Sequence, residues 1–455
     1  MTSRFGPILL ILGILCGTCA WAQTDTGATD TGAPTQPGPK PAYTYPDTTP
    51  SLDFLSQSIE NSSITLGISG GFSYDSNAYS NLSGGETWWL FNVRPDIRIQ
   101  QFLPKLSWNV SYAGGYQTYT YISGPSNHNN NRFSQIASAG FIWQMARRWQ
   151  LLGNDNYTYS ANPFDSYLTG SGTPTANNPN PVTYYPLTQF TQNTGLLTLT
   201  DQLTKADTLS FTGNSSLRRT SDYNLLTVPF YNLVSYGGRA AYSHQLSARL
   251  SLGAGYDYNS LDFGKGQQRS GVQTISMTGS YLIRPNMTIS GWVGPEYTST
   301  KTVFGIPILG QIIYVTNYSS LWSTSLGANF GWQGLRNSVR LGFTRSVSDG
   351  GGVTATSQVN SVTGSYRRMF TPKMDLSVGG RYFHDVSTTV SSRSYNNLNI
   401  NAALSYKITK SFLASAQYAR IHQTQSNSIV LGPSTYDANI VGVTLNYTWN
   451  HPLGR

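Results

Sequence analysis

The chain has 455 residues, only 11% of them charged, and a formal net charge of +9; soluble domains carry about 25% charged residues. Glycine (45), tyrosine (30), phenylalanine (18) and tryptophan (10) are abundant, and mean hydropathy is −0.28. A helical membrane protein is excluded, because only the extreme N-terminus holds a sustained apolar run and a spanning helix needs roughly 18 such residues. Nucleic-acid binding is disfavoured too: no Lys/Arg run exceeds two, as in Arg147-Arg148, Arg218-Arg219 and Arg367-Arg368, and no helix carries a basic face.

Residues 1–22 read as a cleaved secretory signal, with Arg4 as the positive charge, Ile8 to Leu15 as the apolar core and Ala20-Trp21-Ala22 as the small-x-small cleavage site. Both cysteines, Cys16 and Cys19, lie inside it. The exported chain therefore has no disulfide and no cysteine-based metal site or nucleophile. Residues 23–62 form a Thr/Pro/Gly-rich periplasmic leader that cannot bury a core. Near its end Leu52, Phe54, Leu55 and Ile59 are spaced for a short amphipathic helix.

From Ser63 the hydrophobic period becomes two. Between Trp88 and Phe102, one parity holds Trp89, Phe91, Val93, Pro95, Ile97 and Ile99, and the other Asn92, Arg94, Asp96, Arg98 and Gln100. One face suits lipid and the other suits water. The same separation recurs after Lys105 and between Leu398 and Ile408.

Two kinds of connection alternate between these segments. Short turns fall near Pro104, Arg148, Lys205, Leu246, Pro285, Leu335, Pro372 and Lys410, and longer polar loops are expected at Ser123 to Asn131, Ala161 to Pro186, Thr300 to Thr316 and Thr424 to Ser434. Short periplasmic turns opposed to long outer loops are the pattern of outer-membrane barrels. Eight turns imply nine outward hairpins, so residues 63–455 are expected to form an all-β, antiparallel, up-and-down transmembrane barrel of about 18 strands, with 16 as the alternative. Tyr281, Tyr366 and Tyr406 recur just before a turn and read as an interfacial girdle.

The last strand places Val441, Val443, Leu445, Tyr447 and Trp449 on one face. Gly442, Leu445, Tyr447 and Trp449 resemble the closing signal by which such barrels engage the barrel-assembly machinery, although six residues follow Trp449. The opening strand GFSYDSNAYSN, the Trp/Phe-rich second strand and a closing strand ending Tyr-x-Trp together resemble the outer-membrane β-barrel porins associated with exopolysaccharide and envelope export. That resemblance implies an outer-membrane location, contact with outer-membrane lipid and a connection with polysaccharide export components; it implies no cofactor and no particular substrate.

Gly67-Ile68-Ser69-Gly70-Gly71 matches the Gly-x-Ser-x-Gly pattern of serine hydrolases, but that chemistry needs a strand-to-helix elbow, and here a second strand follows. The five histidines show no metal-ligand spacing. No catalytic or metal site is therefore expected. Function is placed in the lumen, where parity directs Arg94, Asp96, Arg98, Arg132, Arg249, Asp257, Glu296, Arg340, Asp375, Arg381 and Lys407 inward. These charges serve either as a ladder for solutes or as salt bridges between strands. The first functional expectation is a channel for small polar solutes or for export. The alternative is a non-conducting envelope scaffold whose long loops bind a partner or surface polysaccharide.

Overall fold

The computed structural model describes residues 62–77, 87–123, 130–160, 190–220, 232–264, 266–308, 311–349, 356–388, 394–426 and 435–453. Period-two patterning becomes eighteen strands: β1 (Ser63–Asp75), β2 (Thr87–Phe102), β3 (Leu106–Ser123), β4 (Asn130–Gln144), β5 (Trp149–Ser160), β6 (Phe190–Gln202), β7 (Asp207–Thr220), β8 (Leu233–Gln245), β9 (Leu250–Phe263), β10 (Gln268–Arg284), β11 (Met287–Ile308), β12 (Gln311–Gln333), β13 (Asn337–Ser348), β14 (Ser357–Thr371), β15 (Met374–Ser387), β16 (Ser394–Lys407), β17 (Phe412–Ser426) and β18 (Thr435–Pro452). The signal, the leader and the helix expected near its end lie outside the described residues.

Each strand pairs antiparallel with its sequence neighbour, and β1 pairs β18 from Ser63↔Pro452 to Asp75↔Ile440. Closure through the β1–β18 seam removes the sheet edge at membrane level and satisfies the backbone groups that lipid cannot. Residues beyond Trp449 take part in it, because Asn450, His451 and Pro452 pair with Thr65, Ile64 and Ser63. The ring of His451 stacks on Trp449 at 5.4 Å between centroids.

All eight expected short turns are present as connections of two to four residues. Several share one device. The hydroxyls of Thr204, Ser247 and Thr409 accept hydrogen bonds from the backbone N–H groups two and three residues on, at 3.0–3.2 Å. Such hydroxyl turns fold locally, which is why the sequence marks them. At the opposite rim the β9–β10 hairpin uses Gly264 and Gly266 at φ of 61° and 91°, a region that favours glycine.

One expected loop is corrected. Thr300 to Thr316 is mostly strand, since β11 and β12 stay paired up to Ile308↔Gln311. Threonine and β-branched residues there suit a strand as readily as a polar loop. The expected loop Ala161 to Pro186 lies wholly, and those at Ser123 to Asn131 and Thr424 to Ser434 partly, outside the described residues.

Exposed large hydrophobic side chains share one parity along the membrane-level strands, for example Leu66, Ile68 and Phe72 on β1, Phe91, Val93 and Ile97 on β2, and Val441, Val443, Leu445, Tyr447 and Trp449 on β18, whereas the outer part of β12 exposes both Tyr314, Tyr318 and Trp322 and, on the other parity, Val315 and Leu321. The opposite parity of β7 carries Arg218, which reaches Asp349 just beyond β13, a strand that is not its neighbour, and only the interior permits this. The first face therefore meets lipid. Toward the short-turn end it carries Trp143, Trp149, Tyr242, Tyr281, Tyr406, Phe412 and Trp449, an aromatic girdle that includes two of the three expected tyrosines. Tyr366, the third, lies on the same face and donates to Asn337 at 3.1 Å.

Candidate functional site

Charges concentrate on the inner face. Asp96 lies between Arg94 and Arg98 on β2, all three on the inward parity of the register. Gly67 of β1 stands opposite Asp96, and a Cβ there would fall 2.2 Å from Oδ1, so the missing side chain makes room for the acid. Across the barrel Asp257 pairs with Arg239 at 3.7 Å, and nearer the short turns Asp375 pairs with Arg367 at 2.8 Å.

Near the outer end the wall overlaps itself. β12 pairs with β13 only from Leu326↔Arg345 to Gln333↔Ser338, whereas β11 and β12 remain paired far beyond that height. Above the split, the end of β13 passes inside the neighbouring wall. Val347 packs against an inner cluster of Leu233, Leu261, Phe263 and Val272 from β8, β9 and β10. Thr356, just before β14, meets the Ser270 hydroxyl of β10 at 2.6 Å and accepts from the Gln268 amide at 3.3 Å. Asp349 pairs with Arg218 of β7 at 3.2 Å, with side-chain exposures of only 7% and 10%.

Glu296 of β11 fills the split. Its carboxylate accepts from the Ser323 hydroxyl of β12 at 2.8 Å, the Val347 backbone N–H of β13 at 3.0 Å and the Thr274 hydroxyl of β10 at 3.4 Å. The Val347 donor would otherwise belong to a ladder that β12 no longer supplies. One carboxylate thus ties four strands together where the wall divides.

Beside this overlap the outer lumen is packed. Trp88, Tyr119, Phe383 and Tyr395 are buried on the inner face, with a second cluster of Ile421, Tyr436, Ala438 and Ile440.

Of the residues proposed from parity, Arg94, Asp96, Arg98, Arg132, Asp257, Glu296, Arg340, Asp375, Arg381 and Lys407 all occupy inward positions in the register. Arg249 lies exposed in the β8–β9 turn, immediately before β9 begins at Leu250. Sequence reasoning missed Arg218, Arg239, Asp349, Arg367 and Asp385. The parity of Arg239 and Arg367 was available in the alternation; the roles of Arg218 and Asp349 were not, because strands distant in sequence bring them together.

Ser69 lies in the middle of β1 and donates to the Arg94 carbonyl at 3.2 Å, with no elbow. His244 faces Asp207 at 2.7 Å, His422 faces Asp437 at 2.8 Å and His384 faces Asn396 at 2.7 Å, three separate rim contacts. Among the described residues no group of three or more His, Cys, Asp or Glu is placed to hold a metal ion.

The closed sheet, lipid-facing apolar band and charged interior define a transmembrane β-barrel of the outer-membrane class. No family model and no curated protein matches the sequence. Among solved structures the chain is similar to OpdQ of Pseudomonas aeruginosa (12% identity, TM-score 0.40, covering 86% of this chain and 100% of that one). It is similar also to OccAB4 and OccAB3 of Acinetobacter baumannii (11% and 10% identity, TM-score 0.40 for both, covering 86% of this chain and 98% and 100% of theirs). Likenesses this distant assign no activity, and the strand count rests on this chain's own register. None of these three connects the chain with exopolysaccharide export.

Proposed function

We propose that the chain is an outer-membrane channel for small polar solutes, with a preference for anions. The observation that carries this reading is the charge of the inner wall. Arg94, Arg98, Arg132, Arg340, Arg381 and Lys407 face inward with the acids Asp96, Asp257, Glu296 and Asp375; Asp257 and Asp375 already face arginines of their own, and Glu296 is taken up by its hydrogen bonds at the split. Positive charge along a low-dielectric wall concentrates anions. An 18-stranded barrel is also wide enough for a water-filled passage inside its inner side chains, and the overlap at β13 limits what passes to small solutes.

Planar-bilayer recording tests the reading. Discrete conductance with an anion-favouring reversal potential in a salt gradient is expected, and replacing Arg94, Arg98 and Arg381 by glutamine should move that potential toward cations. Absence of conductance from protein that migrates as a folded barrel would overturn it. We also take β18 as the assembly signal: Leu445, Tyr447 and Trp449 face lipid and Gly442 faces inward. Deleting β18 should abolish insertion in cells.

A further inference from the structure

Asp155 of β5 stands on the face that meets lipid. Trp149 and Leu151 share its parity, and across the ladder it faces Ala139 of β4 and Gly195 of β6, whose same-face neighbours Phe133 and Leu197 are exposed. Trp149 belongs to the short-turn girdle, and on a strand tilted by about 40° the six residues from Trp149 to Asp155 rise about 15 Å into an apolar band about 25 Å tall. The carboxylate accepts from the Asn193 amide of β6 at 2.7 Å and, among the described residues, takes part in no ion pair.

Its surroundings are small. Asp155, Gly195 and Ser215 lie on one register line across β5, β6 and β7, and the Asp155 carboxylate and the Ser215 hydroxyl flank Gly195, at 3.9 and 3.0 Å from where a Cβ would stand. One step toward the short turns, Gly213 of β7 faces Gly238 of β8 on the same surface. A Cβ at Gly213 would meet nothing within 4 Å, and one at Gly238 only the Thr212 carbonyl at 3.8 Å. The barrel therefore has room for side chains at both positions, and glycine inside a strand weakens it.

Polar groups that face lipid are disfavoured, and small residues on a membrane face let backbones approach closely. We propose that this face of β5–β8 is a dimer interface with a second copy of the chain. A two-fold axis along the membrane normal keeps every residue at its own depth, so the polar tier of one copy meets the same tier of the other. That tier is self-complementary: Asn193 and Ser215 carry donors for the other copy's carboxylate, whereas a hydrocarbon chain offers none. With the axis beside Gly195, the β5 side of one copy faces the β7 side of the other, which separates the two carboxylates.

The test is the association state of the full exported chain, read without reference to conductance. Sedimentation equilibrium in density-matched detergent should give a dimer for the wild type. Gly213→Leu, which fills the hollow where the barrel has room, and Asp155→Leu should each weaken the dimer by roughly tenfold or more. Asp155→Leu should also raise the yield of folded monomer, because it removes a carboxylate from the lipid face, and it decides the matter if Gly213→Leu does not fold. In lipid vesicles Ser215→Cys should form a disulfide-linked dimer on mild oxidation, while Met277→Cys, exposed on the lipid face of β10, should not. A wild type that is monomeric in detergent with no linkage through Ser215→Cys in vesicles, undiminished association in the folded leucine variants, or equal linkage through both cysteines would each overturn the proposal.

Discussion

Glu296 shows how one side chain can replace a stretch of sheet. Its carboxylate receives the Val347 N–H that β12 has abandoned. Glu296→Ala should strand that buried donor and cost about 1–3 kcal/mol, read as lower urea resistance of the folded barrel with faster amide exchange around Val347. Glu296→Gln keeps an acceptor and should lose less. Gly327 makes a steric point: a Cβ there would fall 2.1 Å from the Trp292 ring, whose indole N–H donates to Ser325 at 3.4 Å. Gly327→Ala should therefore overpack the inner wall and cost about 1–3 kcal/mol, with a lowered temperature for the folded-to-unfolded gel shift as the check.

Among elements, the end of β13 departs most from a regular barrel. It is held inside the wall by an ion pair of Asp349 and by the packing of Val347 on an apolar cluster, each to strands at least three positions away in sequence order, while Thr356 before β14 adds two contacts to β10. Removing one partner of a buried pair typically costs about 3–5 kcal/mol because the other charge is left uncompensated. Asp349→Ala should loosen this element and raise single-channel conductance, and the exchange Arg218→Asp with Asp349→Arg should restore much of the original value. Equal conductance in all three proteins would show that the overlap does not limit the passage. The short turns are the opposite case. Thr204, Ser247 and Thr409 close their turns with their own backbones, so their positions were legible in the sequence.

For the whole molecule, closure runs through the β1–β18 seam, which is unbroken over thirteen register pairs. Substituting Leu445 and Tyr447 by charged residues on this lipid-facing seam should cost about 2–4 kcal/mol each near mid-membrane and less toward the rim, measured as reduced folding yield into lipid vesicles. The sequence by itself determined strand number, the lipid and water faces and the short-turn end, because alternation and turn chemistry are local properties of the chain. It did not show that Arg249 lies in a turn, because parity does not say where a strand stops. Only the tertiary structure decided that β13 leaves β12, that Thr300 to Thr316 continues a hairpin, and that Arg218 meets Asp349. Those contacts join strands far apart in order, and their geometry follows from how a closed wall curves and overlaps, which no local pattern of residues records.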